Sequence, residues 1–386
     1  MSKQNSTVLS SYFERIVAFI DDKKSNFFAK RASEQFRLQR IELSPQFYRG
    51  KVISRLPKVA SEESMSSVMR KFFLERSSLK PSTTLPYKKL ESQTFSLPSK
   101  APRVTWLGHS SLFIEIDHKK LLIDPVFEYA SPWFFKRFFS RNVETPIARE
   151  SLPTPDVILI SHDHYDHLEQ STVRYYAKLG VHFIVPLAVG RHLEKWGVAP
   201  EKIEELDWWQ STQIGTIELT AAPANHNSGR TGFDSNSTLW ASWAIKGISG
   251  ALFYSGDTAY DNHFKQIGER LGPFDIAFIE VAANVKDGIG FPVENWGHMQ
   301  AKHTALAFQE LHAKVLMPVH WSTYELFSHR WDEPMDDLLI EVGKIGAQLI
   351  TPMVGESFAL NSDVTTSYWW LGIEDKRVEA ELEYQN

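Results

Sequence analysis

The run His162-Asp163-His164-Tyr165-Asp166-His167 follows directly on the apolar stretch Val157-Ile158-Leu159-Ile160, and no other feature constrains the chain as much. Three imidazoles and a carboxylate in an HxHxDH spacing can reach two cations at once if the backbone turns sharply as it leaves a strand. Asp166 and His167 are adjacent, so a turn lets them face a different ion from His162 and His164. Neutral imidazole and carboxylate suit zinc, iron or manganese, and the chain has no cysteine to offer a thiolate. The bland alternative is a polar surface loop. A shuffled chain of this composition gives HxHxDH on the order of once in a thousand, which favours the metal.

Further metal-capable side chains stand at the ends of later apolar runs. Leu112–Ile116 and Lys120–Ile123 predict a hairpin turning at Asp117-His118-Lys119 and delivering Asp124-Pro125. Ile217–Thr220 runs toward His226, Ala251–Tyr254 toward Asp257, Ile276–Ile279 to Glu280, and Val315–Met317 toward His320. Helical periodicity covers Glu169 to Leu179 and Gln300 to Ala313, with Ala301, Ala305, Leu306 and Leu311 near one face. Strand-end placement of this kind predicts a site along one rim of a sheet. Gly256 lets the backbone beside Asp257 approach closely, and an aspartate can bridge two cations.

Charge divides the chain unevenly. Residues 1 to 100 carry 19 Lys+Arg against 9 Asp+Glu, and the remainder is acidic. This basic part holds Phe13, Ile16, Val17, Phe19 and Ile20 at helix-like spacing, then Phe27, Phe28, Phe36, Phe47, Phe72 and Phe73 among Lys and Arg. It reads either as an amphipathic arm for anionic lipid or an acidic partner, or as an extension packing its aromatics on the main domain. Ser77 to Lys100 reads as a linker or wrapping loop. We therefore divide the chain into a basic extension and linker, 1–102, and a catalytic domain, 103–386. No run of about eighteen apolar residues predicts a membrane span, and no signal-peptide pattern is visible, so the expected location is cytoplasmic, with peripheral membrane contact through the arm.

The order HxHxDH, His226, Asp257, His320 resembles that of the metallo-β-lactamase fold superfamily. A closer resemblance is to the branch containing N-acyl-phosphatidylethanolamine-hydrolysing phospholipase D. It is carried by Thr105-Trp106-Leu107-Gly108-His109-Ser110, Ile123-Asp124-Pro125, Ser161 to Leu168, Ser237 to Trp243, Ser255-Gly256-Asp257-Thr258 and Val319-His320-Trp321, over approximately residues 103 to 360. The resemblance implies an α/β, four-layer αββα sandwich. It also implies that His162, His164 and His226 hold one metal, that Asp166, His167 and His320 hold the other, and that Asp257 bridges them, with two zinc ions as the default cofactors and iron or manganese admitted by the ligands.

Such a pair of ions, about 3.5–4 Å apart, shares a hydroxide and stabilises the oxyanion that grows as it attacks. The resemblance adds the substrate: the expected function is a dinuclear metal-dependent phosphodiesterase acting on a phospholipid-like substrate. Asp166 and His298 are the candidate catalytic residues. His298 is read as an acid for the leaving alkoxide or a contact to the substrate phosphate, its structural alternative being a helix cap. His109 is read as a partner of a ligand carboxylate. His303, His312 and His329 carry no motif support.

Trp208, Trp209, Trp240, Trp243, Trp296, Trp321 and the Trp133-Phe134-Phe135 run either wall an acyl pocket or pack the core. A lactonase acting on a sugar-phosphate lactone is the rival enzyme, and a small polar pocket with Arg230 near the metals would favour it. An iron-dependent redox protein of the same superfamily is the rival of another class. A nuclease is disfavoured by the acidic catalytic part.

Overall fold

In the computed structural model of the protein, residues 28–55, 80–81, 83–95, 100–136, 139–282, 297–326, 329–360 and 366–373 are described. The expected amphipathic stretch Phe13–Ile20, Phe27, Phe72, Phe73, Trp296 and the side chain of Trp133 lie outside the described part.

A helix spans residues 28–43 and is followed by a short hairpin of β1 (Phe47–Tyr48) and β2 (Lys51–Val52). The first large sheet is built from β3 (Arg103–Gly108), β4 (Ser111–Ile116), β5 (Lys119–Ile123), β6 (Val157–Leu159), β7 (His182–Pro186) and β8 (Ile203–Leu206). The second holds β9 (Ser211–Ile214), β10 (Ile217–Ala222), β11 (Ser242–Lys246), β12 (Ala251–Tyr254), β13 (Phe274–Glu280), β14 (Ala313–Val319) and β15 (Gln348–Leu349). The last strand, β16 (Ser357–Ala359), returns to the edge of the first sheet beside β3. Each sheet is antiparallel over its first four strands, β16-β3-β4-β5 and β9-β10-β11-β12, and parallel over the rest, β5 to β8 and β12 to β15.

Period-two alternation sets the layers. Leu112, Ile114, Leu121, Ile123, Val157 and Leu159 enter the main core shared with the second sheet. Their neighbours Phe113, Leu122, Ile158 and Ile160 enter a second core, closed by Val173 and Tyr176 of the helix Gln170–Lys178 and by Leu193 of the helix Gly190–Lys195. Strands buried on both faces are what helix-covered sheets require. On the second sheet, Phe253 meets Phe264 of the helix His263–Leu271, and the helices Ala301–Glu310 and Glu333–Ile345 add Phe308, Met335 and Leu338 to the same core. The result is a four-layer αββα sandwich.

Two expectations need adjustment. The hairpin turn is one residue tighter than expected: Lys119 pairs with Ile116, leaving Asp117 and His118 in the left-handed region at φ 48° and 63°, the geometry of a two-residue type I′ turn. Leu306 faces solvent, while Ala301, Ala305 and Leu311 are buried, and Ala313 begins β14 rather than ending the helix.

The described part of residues 1–102 packs against residues 103–386. Arg37, 2% exposed, pairs with Glu194, with Glu34 and, at 2.8 Å, with Glu205, and Ile41, Phe47, Val52 and Leu85 join the main core. Phe28, Phe36 and Leu43 remain exposed. Among the described residues no helix is long and apolar enough to cross a membrane.

Candidate metal centre

The C-terminal ends of strands from both sheets meet at one rim. His109 follows β3, Asp124 follows β5, His162 to His167 follow β6, His226 follows β10, Asp257 follows β12, Glu280 ends β13 and His320 follows β14. His109, Asp124 and His320 adopt φ of 51°, 40° and 71°, a left-handed conformation that costs a non-glycine residue roughly 1–2 kcal/mol and that clusters at functional sites. Gly256, at φ 57°, is required twice over: a Cβ there would sit 2.7 Å from the Ser161 Cβ.

The seven sequence-predicted side chains come together around Asp257. His162, His164, His226 and Asp257 form one donor cluster and His109, Asp166, His167 and His320 another, which Asp257 reaches through His167 and His320; Asp257 and His320 also group with Glu280 and His298. His164 Nδ1 lies 2.9 Å from His162 Nε2 and 3.2 Å from His226 Nε2. Asp257 Oδ2 stands 3.1 and 3.2 Å from the Nε2 atoms of His167 and His320, and 3.7 and 3.8 Å from those of His162 and His226.

The outer ring nitrogens are tied to acceptors, which turns the inner lone pairs toward the centre. Gly297 O accepts from His226 Nδ1 at 2.7 Å, and Asp124 Oδ2 accepts from His167 Nδ1 at 2.7 Å. The Ser161 hydroxyl donates to Asp124, so its oxygen is left to accept from His162 Nδ1 at 2.9 Å. Asp124 is itself fixed by the Ser161 N–H and the Tyr254 hydroxyl at 2.7 and 2.6 Å. His109 donates from Nε2 to Asp166 Oδ2 at 3.0 Å, the partnership expected from its motif.

Buried atoms with no hydrogen-bond partner test whether these residues fit a metal. His167 Nε2, His320 Nε2 and Asp257 Oδ1 are such atoms, and leaving one unsatisfied costs about 1–3 kcal/mol. All three belong to the donor clusters, and their imidazole and carboxylate chemistry fits divalent cations. Electrostatics distinguish the clusters. Burial pushes the His162, His164 and His226 imidazoles below their ordinary range, toward the neutral form that binds metal. Burial acts the same way on His320, but Asp257 and Asp166 outweigh it and lift this group to about 10.

His298 stands at the edge of both clusters, its ring 5.1 Å from those of His226 and His320. Its Nδ1 donates to Glu280 Oε2 at 2.7 Å. Glu280 was visible in the sequence only as an acid ending an apolar run; its burial and its grip on His298 were not. The same holds for Asp124, whose partners come from residues far along the chain.

Arg230 Nη1 donates to the Asp163, Leu168 and His164 carbonyls at 2.6, 2.8 and 3.4 Å, so the guanidinium braces the metal loop. Of the described tryptophans, Trp208, Trp240 and Trp243 are core, the last two donating to Ala224 O and Ile160 O at 3.0 and 3.1 Å, while Trp209 is half-buried and Trp321 lines a small cavity beside His109 and His320. Phe134 and Phe135 are exposed, His303 stacks on Tyr260, and His329 lines a small cavity with His109, His320, Tyr324 and Trp331.

The model of the beta-lactamase superfamily domain matches residues 119–321. A protein of Mycobacterium tuberculosis is 36% identical over 270 residues, covering 69% of this chain and 71% of its own. The N-acyl-phosphatidylethanolamine-hydrolyzing phospholipase D 1 of Caenorhabditis elegans is 30% identical over 269 residues, covering 66% of this chain and 74% of its own. Among solved structures, the isothiocyanate hydrolase from Delia radicum gut bacteria shares the fold, with a TM-score of 0.52 at 17% identity over 67% of this chain and 98% of that one. The chain belongs to the metallo-β-lactamase fold superfamily. Within that superfamily it falls in the N-acyl-phosphatidylethanolamine phospholipase D-like branch.

Proposed function

We propose that the protein is a dinuclear metal-dependent phosphodiesterase that cleaves a phospholipid-like substrate of the N-acyl-phosphatidylethanolamine type. The observation that carries this reading is the pair of donor clusters that meet at Asp257, with the His298–Glu280 pair beside both. His162, His164 and His226 would hold one ion, Asp166, His167 and His320 the other, with zinc the proposed metal. Two divalent cations held there supply Lewis acidity and bring the pKa of a coordinated water toward neutrality.

The chain's own residues do the rest. Asp124, Ser161 and the Gly297 carbonyl keep protons on the outer nitrogens of His167, His162 and His226, which orients the inner ones. His109 holds Asp166. His298, its Nδ1 proton held by Glu280, contacts the phosphate or hands a proton to the departing alkoxide as the P–O bond breaks. Exposed Phe134 and Phe135, and Phe36 and Leu43 on the basic helix 28–43, support peripheral contact with the membrane that presents such a substrate.

Incubation with N-acyl-phosphatidylethanolamine in mixed micelles tests the reading. Release of N-acylethanolamine and phosphatidic acid, lost on chelation and restored by zinc, is expected. Cleavage of a lactone with no release from the phospholipid would overturn it.

A further inference from the structure

Two segments carry the three histidines of the first donor cluster, and they hold each other reciprocally. The acid comes from the HxHxDH loop: Asp163, 0% exposed, accepts from the Gly229 N–H at 2.8 Å and from the Thr238 hydroxyl at 2.9 Å, and contacts His192 Nε2 at 3.1 Å. The base comes from the opposite segment: Arg230 donates into the carbonyls of Asp163 and Leu168. Its guanidinium lies 3.9 Å over the Tyr165 ring and 5.0 Å from that of Trp196, and the Tyr165 hydroxyl returns a bond to Arg230 O at 2.9 Å. The segment beyond His226 is closed on itself, with Asn236 N donating to Ser228 O and Asp234 Oδ1 accepting from the N–H groups of Arg230 and Thr231. It is therefore braced from within.

We propose that Asp163 and Arg230 are positioning residues forming a clamp that presets the His162, His164 and His226 pocket for its metal ion. Neither points into the donor clusters. Asp163 separates two of the ligands in sequence, and Arg230 stands four residues beyond the third. With both sides closed, His164 Nδ1 and His226 Nε2 are held 3.2 Å apart. With the clamp open, the His226 side keeps its stem, Asn225 with Thr258 and Ala259, and the bond from His226 to Gly297; at the far end the Val52 N–H and the Lys51 ammonium still donate to the Asn236 and Ser235 carbonyls, both at 2.7 Å. Lysine cannot replace Arg230 fully, because a single ammonium does not present a planar fork to several carbonyls while stacking on a ring. The Asp166, His167 and His320 pocket shares the loop end that Arg230 holds at Leu168 but has supports of its own, Asp124 on His167 and His109 on Asp166, so its loss should be the smaller one.

The inference rests on the two-pocket metal reading above, and its test separates the two. Metal-free full-length protein is titrated with cobalt(II), following d–d absorption, with competition from a chelator. Native protein is expected to bind two ions. Asp163→Asn and Arg230→Lys are expected to bind one ion roughly 10–100-fold more weakly, the range seen for partners that orient ligands, and to lose less at the other. The double variant should lose no more than the worse single one, since the two residues close one clamp. Thermal unfolding of the metal-free forms provides the control. If Asp163→Asn does not fold, Arg230→Lys decides alone. Native affinity at both pockets, or equal weakening of both, overturns the clamp, whereas no cobalt bound by the native protein overturns the metal reading beneath it.

Discussion

His167 donates from Nδ1 to Asp124 Oδ2 across 2.7 Å, although 43 residues separate the two along the chain. That bond leaves the opposite nitrogen, Nε2, buried, without a hydrogen-bond partner, and 3.1 Å from the Asp257 carboxylate. Asp124 is fully buried and also receives the Ser161 N–H, the Ser161 hydroxyl and the Tyr254 hydroxyl.

Asp124→Ala should therefore act at a distance from the metals. It leaves those donors and His167 unsatisfied, with an expected stability loss on the order of 3 kcal/mol by chemical denaturation. Metal content after dialysis should fall toward one equivalent.

His298→Ala and Glu280→Gln should split binding from turnover. Both variants are expected to retain native metal content, while diester turnover falls by about 10²–10⁴ in His298→Ala and less in Glu280→Gln, which keeps an acceptor for Nδ1. Elemental analysis and kcat on the same preparations check this, and native turnover in His298→Ala would remove its assigned role.

Gly256→Ala adds one methyl to a position with none to spare. The Cβ meets Ser161 at 2.7 Å and the Ala241 carbonyl at 3.1 Å, at φ 57°. A loss of at least ~2 kcal/mol in unfolding free energy is expected from strain and overpacking together.

Asp117 gives a pH dependence away from the site. Burial raises its carboxyl, but the Ser249 hydroxyl, the N–H groups of Ile248 and Ser249 and the Thr216 hydroxyl outweigh this and hold it below the ordinary range. The folded protein thus binds its proton less readily than the unfolded chain. The stability it contributes is present above the unfolded value, about 3.9, and is lost as pH falls through the depressed folded value. Asp117→Asn, which tolerates the left-handed turn, should cost about 1 kcal/mol near pH 6, and denaturation curves of the two proteins should converge under acid.

Some of this was legible in the sequence and some was not, for physical reasons. Val157–Ile160 and Leu112–Ile116 announce their strands because alternate residues must enter two cores, and the polar residue ending each run marks the rim. HxHxDH and the order of His226, Asp257 and His320 indicated which side chains meet. Partnerships reaching across the sheets were not legible. Glu280 with His298, Asp163 with Gly229 and Arg230 with the Leu168 carbonyl depend on which strand ends become neighbours, and local pattern does not encode that. Leu306 misled for the opposite reason, since it fits an apolar stripe and the fold leaves that edge of the stripe in solvent.

In the proposed function, the donor clusters that meet at Asp257 hold two catalytic metal ions. Elemental analysis of purified protein, paired with turnover of bis(p-nitrophenyl) phosphate before and after chelation, tests it most directly. About two equivalents of zinc per chain are expected, with diester cleavage that chelation abolishes and zinc restores. A single equivalent of iron, or full metal content with no diester cleavage, would contradict it.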